Sequence, residues 1–363
     1  MEVRMSAPSL GYRERAAVSR VLRSGQLSMG PKVAEFESAV SRFQGLGLGV
    51  AAVNSGTSAL HLGLLAMNLT ADDEVIVPAF TFAATANAVL MAGAKPVFAD
   101  VDLDTMNLSS DTVAASLSSK TRAVIFVSLY GNLSGISSVV ELCKQRGLDL
   151  IEDAAQSLGG SEGGVSSGGF GRWGAYSFYP TKHVTAGEGG AVISGDESFL
   201  HRVRLLRNQG MSALYDNEIP GLNNRMTDIA ASIGIEQMSR AKAFLKRRRE
   251  IAHLYSNSFQ DLTGVVYQRV AENNAPSYNQ FTLRVGAKRD RLQTELSLSG
   301  IQTRVYYPTP VSDLRPFKHL SSKVPNSRKL SQEVISIPIH PELTDRQVRY
   351  VCRKVREKIQ ELD

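Results

Sequence analysis

Leu148-Asp149-Leu150-Ile151-Glu152-Asp153-Ala154-Ala155-Gln156 is the stretch on which the fold turns. Leu148 to Glu152 reads as a short buried strand, and the chain on either side repeats that unit in alternation with helices. Upstream, Val50 to Asn54 is a strand that breaks at Ser55-Gly56, and Thr57 to Met67 carries apolar residues at helical spacing. Strands over Glu74 to Val77, Pro96 to Asp100 and Arg122 to Ser128 alternate with helices over Phe82 to Met91, Asp111 to Leu117 and Ser137 to Arg146. Such alternation predicts an α/β fold, a mostly parallel sheet covered by helices on both faces.

Downstream, the polar glycine-rich run Gly159 to Gly174 reads as a loop or hairpin, and Ala175 to Tyr179 and Gly190 to Ser194 return to strand character. Pro220 to Arg225 is a loop, followed by helices over Asp228 to Met238 and Ala241 to Phe259. The expected division is a large domain over 1–240, then a connecting helix and a smaller C-terminal α/β domain over 241–363. The smaller unit mixes a strand (Asn279 to Val285), helices (Asp290 to Leu298 and Arg346 to Leu362) and the turn Tyr306-Tyr307-Pro308-Thr309-Pro310.

With 363 residues and 43% apolar composition, the chain can bury a large core, which excludes a disordered protein. Its two cysteines, Cys143 and Cys352, lack the spacing of a metal site or a disulfide framework and read as buried, inert thiols in a reducing compartment. No metal site is expected. No run of eighteen apolar residues occurs, and the charged N-terminal segment has no apolar core, so the expected location is cytoplasmic with no membrane contact. The formal charge is +6. Its densest cluster, Lys246-Arg247-Arg248-Arg249, lies in a helical pattern without interleaved aromatics and reads as a solvated helix face, not a nucleic-acid surface. No G-x-G-x-x-G follows a strand, which argues against a nicotinamide site.

In open parallel sheets ligands gather at the carboxyl ends of the strands, and here polar residues fall at those ends. Asn54-Ser55-Gly56-Thr57 opens a helix whose free amides, with the Thr57 hydroxyl, suit a dianionic phosphate, although Ser-Gly-Thr is also an ordinary cap. Asp153 ends an apolar strand, where a carboxylate calls for a cationic partner; Glu152 and Asp149 are neighbouring acids to be told apart from it. Lys182, in Ser177-Phe178-Tyr179-Pro180-Thr181-Lys182-His183, follows a strand and precedes the turn Gly187-Glu188-Gly189-Gly190, so its amine can be held over a pocket. A lysine nucleophile, a carboxylate for a pyridine nitrogen and small polar groups for a phosphate are what pyridoxal 5'-phosphate (PLP) chemistry requires. Lys182 and Asp153 are therefore the candidate catalytic residues.

Five motifs in order carry a family resemblance: Asn54 to His61, Val77-Pro78-Ala79-Phe80-Thr81-Phe82, Glu152 to Gln156, Ser177 to His183 with Gly187 to Gly190, and Gly221-Leu222-Asn223-Asn224-Arg225. Together they resemble the DegT/StrS family of PLP-dependent sugar aminotransferases over nearly the whole chain, from Gly25 to Asp345. The resemblance implies an aspartate-aminotransferase-like homodimer of fold type I with its sites near the subunit interface. It assigns Lys182 to the Schiff base, Asp153 to the pyridine nitrogen, Gln156 to the side of the ring oxygen, and Gly56, Thr57 and Ser177 to the phosphate. It assigns Phe82 to stacking on the ring and Asn223 to the neighbouring subunit's phosphate.

The implied reaction takes an amino group from L-glutamate, through pyridoxamine phosphate, to a keto sugar on a nucleoside diphosphate. Arg172, Asn224, Tyr306 and Val311-Ser312 depart from the family's common pattern, at positions expected near the sugar. A dehydratase of the same family carries histidine in place of the lysine, but counting from Ser177 puts Lys182 in that place and His183 after it. An aminocyclitol acceptor and a non-catalytic PLP-binding regulator are the further alternatives.

Overall fold

Seven strands form the central sheet of the computed structural model, which describes residues 1–320 and 322–362. Across the sheet they run Gly49–Val53, Gly190–Ser194, Trp173–Ser177, Asp149–Asp153, Thr121–Val127, Glu74–Pro78, Lys95–Ala99. All are parallel except Gly190–Ser194, which is antiparallel to both of its neighbours. The period-two alternation of side chains divides the apolar residues between two faces. Val75 and Val77 pack with the helices Gly56–Ala66, Ala84–Met91 and Glu197–Arg207, while Ile76 joins the core under Ile136–Arg146. Nearer the other edge, Val50, Ala52 and Ile193 pack with Pro31–Gln44 and Asp228–Met238. Helix Gly56–Ala66 lies close on the sheet because Gly63 has no side chain: a Cβ there would stand 2.4 Å from the Trp173 ring.

A second core fills the space between the antiparallel sheet Val266–Tyr267, Phe281–Arg284, Val334–Ile337 and the helices Ala241–Phe259, Arg289–Leu298 and Asp345–Leu362. On the last helix Val348, Val351, Val355 and Ile359 recur at three- and four-residue spacing and are all buried. The N-terminus joins this core: Val3 is fully buried in it and bridges to Ile301.

The strands and helices read from periodicity are present, with ends shifted by no more than three residues; the helix expected from Phe82 begins at Ala84. The glycine-rich run folds back as a hairpin, Ser161–Glu162 with Val165–Ser166, extended by Asn274–Ala275. Helices Tyr12–Ser24, Pro31–Gln44, Glu197–Arg207 and Pro325–Glu333 were not among the expected elements. Cys143 is buried as expected and its thiol is pushed up to about 11 by desolvation, but Cys352 is only half-buried.

The basic run on helix Ala241–Phe259 corrects the sequence reading. Only Lys246 is a solvated cation; Arg248 is 3% exposed. Its Nη1 donates to the carbonyls of Tyr278, Asn279 and Ile339 at 3.1, 3.2 and 2.8 Å. Arg249 donates to Pro276, Gly159 and Ala275, and Arg247 to Leu343 and Asp345. These carbonyls lie mostly outside strand ladders and need donors, which a guanidinium supplies several at a time. Burial lowers the Arg248 guanidinium to about 10, still protonated at neutral pH. Replacing Arg248 by Met strands three carbonyls, so urea unfolding should show a loss of about 3–5 kcal/mol. Lys246→Ala should stay within about 0.5 kcal/mol of the parent.

Candidate active site

Register brings the polar strand ends to one edge of the sheet. Gly190 is opposite both Val53 and Ser177, and Asp153 is opposite Val127 and Ala175. Asn54-Ser55-Gly56, Asp153 and Ser177 therefore leave the sheet side by side. Two glycines permit the approach: a Cβ on Gly190 would stand 2.2 Å from the Ser55 carbonyl oxygen, and one on Gly56 would stand 2.7 Å from the Ser177 Cβ. Ser55 caps helix Gly56–Ala66, its Oγ accepting from the Ser58 N–H at 3.1 Å. That leaves the amides of Gly56 and Thr57 in the open first turn, where the helix dipole favours an anion. Thr57 is exposed and Ser177 half-buried, so both hydroxyls can reach a ligand seated there.

Asp153 is 5% exposed. Its Oδ2 accepts from the Thr85 hydroxyl at 2.8 Å and its Oδ1 from the Ala155 N–H at 3.2 Å. Desolvation raises its carboxyl above the usual range, against these two bonds and the Lys182 charge. Lys182 feels the reverse: burial lowers its amine to about 8, and Asp153 opposes the shift. A buried acid and a partly desolvated amine thus feel each other's charge at the strand ends, where a cationic group would be favoured.

The neighbouring acids are separated by their surroundings. Glu152 points to the other side of the strand, where it accepts from the Gly168 N–H at 2.5 Å and the Ser128 hydroxyl at 3.3 Å, and burial pushes its carboxyl up to about 8. Asp149, at the opposite end of the strand, pairs with Arg172 at 2.8 Å. This overturns the expectation that Arg172 lies near the substrate, because it precedes strand Trp173–Ser177 and Lys182 follows that strand. Val311 is buried with its N–H on the Ala79 carbonyl, and Ser312, also mostly buried, borders a surface cavity with Thr309, Asp313 and Arg328. His183 is buried beside Lys182, hydrogen-bonded to the Ser277 carbonyl at 3.0 Å, and desolvation holds it neutral.

Gln156 is locked in one orientation: its Oε1 accepts from the Tyr130 N–H at 2.7 Å, so its Nε2 is the donating end, directed at the Tyr307 hydroxyl at 3.1 Å. The Tyr307 ring lies 5.9 Å from that of Phe82, which is 59% exposed where a core aromatic would be covered. Asn223 stands apart. It is exposed, and its side chain is held by Arg225 at 3.0 Å. Asn224 is tied through its backbone to Asn54 and Arg207. Tyr306 accepts at its carbonyl from the Tyr130 hydroxyl.

The whole arrangement has close parallels. Residues 8–356 match the DegT/DnrJ/EryC1/StrS aminotransferase family. The chain belongs to this family. GDP-perosamine synthase of Vibrio cholerae is 33% identical over 360 residues, covering 96% of this chain and 97% of that protein. UDP-2-acetamido-2-deoxy-3-oxo-D-glucuronate aminotransferase of Pseudomonas aeruginosa is 32% identical over 338 residues, covering 93% of each. Among solved structures, the aminotransferase TlmJ from Streptoalloteichus hindustanus superposes with a TM-score of 0.94 at 31% identity over 99% of both chains. Spr1654 from Streptococcus pneumoniae, in its PLP form, superposes with 0.94 at 26% identity over the full length of both. The fold is thus that of the type I aminotransferases, and the family's chemistry is the transfer of amino groups to sugars.

Three residues around this candidate site escaped the sequence reading: Thr85, Tyr130 and Tyr307. Thr85 lies three positions after Phe82, which puts both on the same turn as the helix begins; the two tyrosines act through a backbone N–H and a tertiary contact that periodicity does not encode. Asp153→Asn tests the balance at the site. Because the folded carboxyl is raised above its unfolded value, stability is lost as pH rises above the unfolded value, and the loss is complete once pH passes the folded one. The ligand-free Asn variant should therefore melt no lower than the parent at pH 8 while turnover falls by about two orders of magnitude or more. Differential scanning fluorimetry and a turnover assay read the two effects separately.

Proposed function

We propose that this chain is a PLP-dependent aminotransferase that moves the amino group of L-glutamate to a keto sugar carried on a nucleoside diphosphate. The observation that carries the proposal is Lys182: a desolvated amine facing the buried Asp153, at the strand ends where the Gly56 and Thr57 amides lie open. The close Gly56–Ser177 approach makes a cradle that a Cβ would fill, and the site's acid, amine and anion seat match PLP group by group. PLP when bound supplies an aldehyde that takes up the amino group, as pyridoxamine phosphate, and a ring that accepts the electrons of a broken C–H bond.

The chain's own residues divide the remaining work. Gly56, Thr57 and Ser177 hold the phosphate, and Asn223 of a second copy completes that seat, which its outward position in one copy supports. Asp153 keeps a proton on the pyridine nitrogen by opposing its charge. Gln156 donates to the ring oxygen through Nε2, and Phe82 covers the ring face and keeps water from it. Lys182 Nζ accepts a proton from the substrate carbon and returns it on the cofactor side. Burial lowers this amine to about 8, which raises its unprotonated share near neutral pH. Positioned proton transfer of this kind contributes about two to four orders of magnitude in rate.

The nucleoside diphosphate reading is supported by relatives whose names carry GDP- and UDP-linked sugars at similar identity. No helix among the described residues is long and apolar enough to cross a membrane. A cytoplasmic homodimer built from a large domain over 1–240 and a smaller unit over 241–363 completes the proposal. Mixing the PLP-loaded protein with L-glutamate should bleach the visible band and release 2-oxoglutarate. A panel of GDP-, UDP- and dTDP-linked keto sugars should then yield one amino sugar by mass spectrometry. Lys182→Ala should do neither while keeping the parent's circular dichroism, and turnover by that variant would contradict the assignment.

A further inference from the structure

We propose that Tyr307 is a further cofactor-facing residue: its hydroxyl, held by Gln156, donates a second hydrogen bond to the PLP ring oxygen and sets the charge on that oxygen. The inference rests on the PLP reading above and concerns how the site tunes the group. Hydrogen-bond accounting carries it. Tyr130 N–H can be met only by the carbonyl end of the Gln156 amide, which fixes Nε2 as the donor toward the Tyr307 oxygen. The Tyr307 oxygen is thus used as an acceptor, and its own hydrogen has no acceptor among the described residues. One Nε2 hydrogen of Gln156 is also left over. The pair therefore presents two donors side by side, next to the exposed face of Phe82. Two convergent donors suit an oxygen bearing negative charge.

The loop is braced for the purpose. Tyr130 grips it twice, its N–H orienting Gln156 and its hydroxyl bonding the Tyr306 carbonyl. The Tyr307 ring also packs against Phe80 at 6.4 Å. The titratable and charged groups around Tyr307 and Lys182 include Asp153, Tyr130, Tyr306, His183 and Arg248. Removing only the Tyr307 hydroxyl deletes none of them. A donor to the ring oxygen stabilises its negative charge, which otherwise favours a proton on the nearby Lys182 nitrogen. Losing that donor raises the pH at which the nitrogen gives up its proton.

The test is a pH titration of the visible band of the PLP-loaded protein, with a measured PLP dissociation constant, for the parent, Tyr307→Phe and Tyr130→Phe. Tyr307→Phe should move the midpoint up by about one pH unit and weaken PLP binding about tenfold. Tyr130→Phe, which loosens the loop but leaves the donor, should keep the parent's midpoint. An unchanged midpoint in Tyr307→Phe, an equal shift in both variants, or a Tyr307→Phe protein that does not fold would each overturn the assignment. A parent that takes up no PLP and shows no visible band would instead overturn the cofactor reading itself, so the two failures are distinct.

Discussion

The structure depends on a carboxylate placed where water cannot reach it. Asp153 ends a central strand, is nearly fully buried, and among the described residues its carboxylate accepts from a hydroxyl and one N–H. Such a group is unfavourable in the free protein, as its raised proton affinity records. It becomes favourable when a cation occupies the slot, and Lys182 by itself answers only in part, since burial disfavours its charge as well. Under the proposed PLP reading, a bound ring with a positive nitrogen would answer Asp153 and relieve Lys182 of carrying that charge. Stability surrendered at the site would then be converted into affinity and reactivity.

The rest of the molecule holds that pair in register. Strand pairing sets Asp153 level with Ala175, two residues from Ser177, and the reversed strand at Gly190 brings the Gly56 turn alongside. Hydrogen bonds converge behind the site on the segment 275–279. Arg248 and Arg249 bind carbonyls of 275–279, while Ser277 meets His183, Gly131 and the Gln156 carbonyl. The residues after the lysine and those after the acid are thus anchored to one connecting segment.

Much of this was legible in the sequence because strand and helix periods are local. The buried runs at Val75, Val124 and Leu150 announced a parallel sheet, and polar residues at strand ends announced the site. The four helices that escaped notice include Pro31–Gln44, although its Gly30-Pro31 start and Gly45 end are ordinary boundary signals. Arg247, Arg248 and Arg249 were misread for a different reason: charge runs usually face water, and nothing local says that unpaired carbonyls from 30 or 90 residues away will reach them. Arg172 was misplaced because its position in a motif did not reveal which end of the strand it marks. Tyr307 and Thr85 belong to the same class, since their roles exist only once distant segments meet.

Borohydride reduction of the PLP-loaded protein followed by peptide mapping tests the central claim most directly. The account predicts a single pyridoxyl adduct on Lys182, lost in Lys182→Ala and much weakened in Asp153→Asn. A protein that stays colourless with the cofactor, or an adduct spread over other lysines and absent from Lys182, would contradict it.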